Sequence, residues 1–338
     1  MRVAINGIPG WLGNYLLNEL YLTKQINKLN VMYFGSDKSL NRLFNGNERI
    51  NTFTGTNVLN YKDCLEVTKD VDTVVHIVGV IHPKNVKEFY TINVTGTDNM
   101  LRASVANGVK RFIYISSNSA YGSAPYRMSE FDACEPYMNY GYSKAIAEQI
   151  VTTKCMTSDM EYIILRPCWF YGEGQPARQT KLFKMIQGGK PLIFGDGENF
   201  RSMTYIGNLA KAIKLAILTR DVEAVNEDYW IADERAYPTN EIYNTIWIEL
   251  VNAGLVEEPM RWKPRHIPGL ACKVGRVGDR ILQGFGKYMK TIHVLGEMDE
   301  TIACDITKAK RRLKYIPSVD LKEGIKRSIQ WCVDNGKI

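Results

Sequence analysis

Apolar positions over the first half of the chain fall into short runs separated by longer stretches of helical spacing. The runs at 2–6, 30–35, 49–54, 72–78, 111–116 and 161–166 read as strands, and the last four are rich in Val, Ile, Tyr, Phe or Thr. Between them, apolar residues recur with helical period over 11–22, 61–68, 86–107 and 138–156. Strands alternating with helices predict a parallel sheet covered on both faces and joined by right-handed crossovers. From Pro167 onward the pattern loosens, punctuated by Gly172, Gly174, Gly188, Gly189, Gly195 and Gly197. Helices are expected there at 176–187, 207–219, 239–252, 306–312 and 320–334, with Asp305 or Thr307 able to cap the fourth of these. No internal repeat or low-complexity linker separates the two halves.

The first strand runs directly into Gly7, Gly10 and Gly13, spaced G-x-x-G-x-x-G, and an amphipathic stretch starts at Trp11. Glycines let a backbone approach phosphates, and free N–H groups at a helix N-terminus point at them. Such a turn suits a pyrophosphate, although an ordinary strand–helix turn has the same composition. The fold class that follows is α/β. A Rossmann-type doubly wound parallel sheet carries a smaller, mixed C-terminal lobe. Residues 1–166, with parts of 200–235, are expected to bind the dinucleotide; 167–199 and 236–338 are expected to bind substrate.

Tyr140 and Lys144 lie four apart on a predicted helix, so both side chains share one face. A phenol is a poor base at neutral pH, and an ammonium beside it lowers its pKa. The pair suits proton exchange with a substrate alcohol. Tyr142 is only two residues from Lys144 and is the poorer partner. Ser116, Ser117, Asn118 and Ser119 follow the strand 111–115, and ligands of open α/β sheets bind beyond strand carboxyl ends. A hydroxyl there could bond the oxygen that Tyr140 protonates.

Composition narrows the partners. The 338 residues carry a net charge of +7, a weak preference for anionic ligands. No basic run is interleaved with aromatics as on a nucleic-acid surface, and no apolar run reaches the length of a membrane span. The chain opens on a strand, which reads as the absence of a signal peptide. Seven cysteines without a C-x-x-C pair read as reduced thiols of a cytoplasmic protein. No spacing suits a metal, and His76 and His82 read as structural. Basic and apolar residues mingle between Lys263 and Lys290, which reads as the solvated face of a small helical lobe in preference to a membrane-surface helix.

Glycine turn, post-strand serine and Tyr-x-x-x-Lys, in that order, resemble the extended short-chain dehydrogenases/reductases, the NAD-dependent epimerase/dehydratase family. Further similarities are Asn93-Val-Thr-Gly96-Thr, Ser116-Ser117 with Tyr121-Gly122, Leu165-Arg-Pro167 with Tyr171-Gly172, Gly195-Asp-Gly197 through Arg201, Tyr205 to Ala210, and Asp305 to Ala309 with Leu313 and Pro317. The resemblance implies that Gly7, Gly10 and Gly13 hold a pyrophosphate, with Trp11 and Leu12 donating N–H groups. It places Ile77, Val78 and Gly79 beside the adenosine, with Val58, Asn93, Ser116 and Pro167 also on the cofactor side. Tyr140 becomes the acid/base, Lys144 the ribose ligand and Ser117 the catalytic hydroxyl. Asn118, Ser119, Trp169 and Arg201 fall on the substrate side, Arg201 toward a phosphate.

Departures from the family pattern shape the reading. The dehydratases place Asp-Glu after their catalytic Ser/Thr; here Asn118 and Ser119 stand there, and neither does that proton work near pH 7. The usual Asn after Arg-Pro is Trp169, the usual acidic pair is Gly207-Asn208, and the second pyrophosphate-binding Arg has no counterpart before Asp305. An acidic ribose ligand is expected at the end of the second strand, where Gly35 stands instead. Ser36, Lys38 and Arg42 follow and suit a 2′-phosphate, with Asp37 opposing. Asn57 stands where an adenine-binding Asp is common. The cofactor reads as NAD(P), with NADP(H) preferred. The expected reaction is hydride transfer at C4 of a nucleotide sugar, by a 4-keto-sugar reductase or a 4-epimerase. A 3β-hydroxysteroid-type dehydrogenase and a non-catalytic NAD(P)-binding sensor are the alternatives. Family resemblance also implies a homodimer through helices 86–107 and 138–156, using Leu101, Val105, Ala106, Ala145, Ala147, Ile150 and Val151.

Overall fold

The computed structural model describes residues 1–35, 47–257 and 261–338. Seven strands form one wholly parallel sheet: β1 (Arg2–Ile8), β2 (Lys28–Tyr33), β3 (Ile50–Thr54), β4 (Thr73–His76), β5 (Arg111–Ile115), β6 (Glu161–Pro167) and β7 (Glu227–Ile231). Their order across the sheet is β3-β2-β1-β4-β5-β6-β7. The direction of build reverses between β1 and β4, which opens a crevice at their carboxyl ends.

Alternation along each strand sorts the core into two layers. Val3, Ile5, Ile113, Ile115, Ile163 and Leu165 join the layer under α1 (Trp11–Tyr21) and the helix Ile206–Leu218. Ala4, Val74, Phe112, Tyr114 and Ile164 join the layer under α2 (Tyr61–Thr68), α3 (Gly96–Ala106) and α4 (Met138–Met156). The helix expected at 86–107 is split. Phe89–Thr95 is wound as a π-helix and hands over to α3 at Gly96. Leu101, Ala147 and Val151, assigned to a dimer face from sequence, are buried inside the chain. Val105 remains exposed, and so does Ile146, which sequence reading had passed over.

Strand β7 was not anticipated, because its sequence opens on two acids and lacks alternation. It pairs with β6 from Glu227 opposite Ile163 to Ile231 opposite Pro167. A smaller mixed sheet orders Ala236–Pro238, Phe200–Tyr205, Ile302–Cys304 and Ala124–Met128, with Trp169–Tyr171 added beside Phe200–Tyr205. Leu192–Phe194 pairs with Arg265–Ile267. After α4 come α5 (Ala177–Gln187), α6 (Ile206–Leu218) and α7 (Thr239–Asn252). The segment read as the solvated face of a helical lobe is indeed helical, over Leu270–Gly284 and Lys290–Glu297, but the side chains turned outward include a row of apolar ones.

Candidate active site

The glycine turn is shaped by contacts that exclude a side chain. Gly7 has φ +80°, and a Cβ there would meet Ile77 Cβ at 2.8 Å. A Cβ on Gly13 would meet the Gly7 carbonyl oxygen at 2.4 Å, so α1 packs directly onto the end of β1. No side chain caps α1 and no acid stands in its first turn, which leaves its N–H groups and positive end open to an anion. The turn borders a cavity of about 530 Å³. Gly7, Gly10, Trp11, Leu12, Gly13, Asn57, Val58, Ile77, Val78, Gly79, Ser116, Tyr140, Lys144 and Pro167 line it.

Buried amides hold the far wall. Asn6 Oδ1 accepts from the backbone N–H groups of Ile77 and Val78 at 2.7 and 3.0 Å. Its Nδ2 donates to His76 Nδ1 at 2.6 Å, and His76 Nε2 bonds Thr97 Oγ1 at 3.0 Å. Burial, reinforced by the Lys144 charge, drives His76 down to a pKa of about 3, so it is a neutral strut. Asn93 stands behind the wall, where its Oδ1 accepts from Val80 N at 2.7 Å and its Nδ2 donates to Ser143 Oγ at 2.9 Å. Asn57 Oδ1 accepts from Leu59 N at 3.0 Å. Ser36, Lys38 and Arg42 lie outside the described residues.

Helix α4 brings Tyr140 and Lys144 to the cavity, both buried. Lys144 Nζ donates to the Ile115 carbonyl at 2.8 Å and to Tyr114 Oη at 3.2 Å, at the carboxyl end of β5. Burial lowers its pKa to about 8, against the opposing pull of Glu148 one turn on. Burial raises Tyr140 to about 12; a hydrogen bond with Ser117 and the charge of Arg178 pull it back, and Glu297 adds to the rise. Burial dominates the phenol, while the Lys144 ammonium is turned to the Ile115 carbonyl and Tyr114. Tyr142, the rejected partner, is exposed. Ser117 Oγ also accepts from Ser119 N at 3.2 Å. Ser116 Oγ is buried without a hydrogen-bond partner among the described residues, and Ser116 lines the cavity, as suits a site completed by a ligand.

A sequence model described as the NAD dependent epimerase/dehydratase family matches residues 3–232. The chain belongs to the NAD-dependent epimerase/dehydratase family. It is thus an enzyme of the extended short-chain dehydrogenase/reductase type. An uncharacterized protein of Sinorhizobium fredii, y4nL, is 42% identical over 268 residues, 78% of this chain and 74% of the relative. A UDP-glucose 4-epimerase of Vibrio cholerae is 27% identical over 340 residues, 97% and 94% of the two chains. The UDP-glucuronic acid 4-epimerase of Bacillus cereus in complex with NAD shares the fold over all of both chains, with TM-score 0.77 and 20% identity.

For this epimerase-family enzyme, the structure adds Arg178 and Tyr288, which no motif announced, and gives the expected Trp11 and Arg201 contacts of their own. Arg178, half-buried at the start of the helix Ala177–Gln187, lines the cavity near Tyr140. Tyr288, from the C-terminal segment, packs in one cluster with Phe89 and Tyr140, edge-on against Phe89 at 5.3 Å, and bonds His82 Nδ1 at 2.8 Å. Trp11 bridges the glycine turn to the following lobe, donating from Nε1 to the Glu173 carbonyl at 2.7 Å and packing on Phe170. Arg201 is buried with its guanidinium 5.7 Å from the Trp169 ring centroid, and it donates to the Glu297 carbonyl. A lone arginine, a lone tyrosine and a tryptophan inside a known motif carry no spacing signal. Only the folded chain reveals that Arg178 and Trp11 share the cavity and that Tyr288 packs with Tyr140.

Proposed function

We propose that this enzyme is a nucleotide-sugar 4-epimerase. The carrying observation is the buried pair Tyr140 and Lys144, one helical turn apart, facing the cavity that the glycine turn borders. In this reading Ser117 orients the C4 oxygen, and Tyr140 takes the hydroxyl proton and later returns it. Lys144, held by the Ile115 carbonyl, fixes the cofactor ribose. The bound nicotinamide dinucleotide supplies hydride exchange at C4. Asn118 and Ser119, in place of a carboxylic acid pair, support epimerisation over 4,6-dehydration. The site is proposed to act in the cytoplasm, in a homodimer.

A second reading, a 4-keto-sugar reductase using NADPH, is favoured by Gly35, which offers no carboxylate to repel a 2′-phosphate. Denaturing the purified enzyme and identifying any released dinucleotide separates the two. Retained NAD, with interconversion of UDP-glucose or UDP-glucuronic acid and their C4 epimers, supports the epimerase. An empty enzyme that binds NADPH more tightly than NADH supports the reductase. Tyr140→Phe is expected to abolish turnover while cofactor still binds by calorimetry. Near-normal kcat in that variant would remove Tyr140 from the chemistry.

A further inference from the structure

The helix α8 (Leu270–Gly284) is inside out. Its inward side carries Cys272, Gly275, Asp279 and Gln283, and Arg276 beside them is paired with Asp299 at 2.7 Å and with Glu300. Asp279 accepts from Gln283 Nε2 at 2.8 Å and bonds His293 Nδ1 at 2.7 Å, on the next helix, α9 (Lys290–Glu297). Polar bonds and a glycine contact thus fasten α8 to the body. Its outward side carries Leu270, Val274, Val277 and Ile281, one stripe that Phe285 extends, with exposures from 55% at Ile281 to 80% at Phe285. A helix that packs on its own core turns such a stripe inward. This one holds it toward solvent.

Charge indicates what covers it. Lys273, Arg280, Lys287 and Lys290 are exposed around the stripe, and Arg261, Lys263 and Arg265 precede it. Between Arg261 and Val294 the only acid is the buried Asp279. A second copy docked about a two-fold axis would set these bases against themselves. An anionic surface with an apolar interior matches both stripe and flanks. The face also adjoins the catalytic cleft, since Tyr288 packs beside Phe89 and Tyr140, and Lys290 feels the charge of Arg178.

We propose that α8 and the turn after it form a docking face for an anionic bilayer surface. Leu270, Val274, Val277, Ile281 and Phe285 sit at the acyl boundary, and Lys273, Arg280, Lys287 and Lys290 meet lipid phosphates. Docking brings the cleft mouth toward the headgroup layer. The inference stands on the exposed face and not on the choice of epimerase or reductase.

Sedimentation of the full chain with vesicles tests it. The protein should pellet with phosphatidylethanolamine–phosphatidylglycerol vesicles, less at high salt, and far less with phosphatidylcholine alone. Val277→Glu with Ile281→Glu should weaken binding at least about tenfold, because apolar burial is lost. Lys273→Glu with Arg280→Glu should abolish the preference for the anionic lipid. Unchanged melting and unchanged NAD binding in both variants would show the fold intact. Failure of the wild type to bind anionic vesicles overturns the proposal, as does binding that survives both pairs of substitutions. A drop in solution mass on Val277→Glu with Ile281→Glu also overturns it, by identifying a second copy as the occupant.

Discussion

Lys144 shows how a buried cation in a cavity wall works against stability. Its ammonium is held in a buried site whose desolvation lowers the pKa from 10.5 to about 8. At neutral pH the group is charged in both folded and unfolded chains, and the folded chain bears the desolvation cost. Between about pH 8 and 10.5 the unfolded chain holds the extra proton, so stability due to this group rises with pH across that window. Lys144→Met should therefore raise the melting temperature at pH 7. The gain is up to roughly 3 kcal/mol, reduced by the hydrogen bonds lost at Ile115 and Tyr114. The advantage should shrink toward pH 10 while turnover is lost at every pH. A variant no more stable than wild type at pH 7, or an advantage independent of pH, would refute this account. Arg178 is the converse case at the same scale. Burial lowers its pKa in the cavity wall, yet nothing in its sequence neighbourhood marks it.

At the scale of elements, α4 is tied to the sheet edge by one buried cation. Arg166 on β6 donates to both carboxylate oxygens of Glu148 at 2.9 and 2.8 Å and also pairs with Asp228 on β7. Its guanidinium stacks 4.3 Å from the Tyr121 ring centroid. Arg166→Met should cost about 3–5 kcal/mol, because the buried Glu148 is left without its cation, while Asp228 keeps Lys308 at 3.3 Å. Urea unfolding at pH 7 would read this as a lower midpoint at unchanged slope. The Arg-Pro motif was legible in the sequence, but its structural duty was not, since the partners lie 18 and 62 residues away. The same limit governs the elements. Strands at 2–6, 111–116 and 161–166 and helices at 138–156 and 239–252 were read closely, because each spans enough positions to show its period. Three-residue strands such as Trp169–Tyr171 and Ile302–Cys304 have no period to read. The helix Leu270–Gly284 hides its polar residues, opposite to what a search for a core-facing stripe expects. The glycine turn, Tyr140 and Lys144, which the fold brings to one cavity, stand at fixed spacings that a sequence displays. Arg178 reaches the cavity, and Tyr288 packs beside Tyr140, by tertiary placement alone.

For the whole molecule, the exposed side of α3 and α4 bears Val105, Tyr142 and Ile146. If two copies join there, α4 is braced from outside and the Tyr140–Lys144 geometry depends on assembly. Ile146→Asp is the substitution of choice, since it points outward where Ala147 and Val151 do not. We expect a monomer with reduced turnover, measured by light scattering and initial rates on the same sample. A wild-type enzyme that scatters as a monomer at micromolar concentration removes this expectation.

The late return of β7 has a consequence for how the chain is made. β6 and Arg166 leave the ribosome with the outer sheet edge open and only Glu148 available to the guanidinium. Asp228 follows 62 residues later, an interval of about 3–12 s at roughly 5–20 residues per second. Throughout that interval the nascent sheet offers a free edge to any neighbouring strand. The last strand to join the sheet thus ends a brief period of exposure in the birth of each molecule.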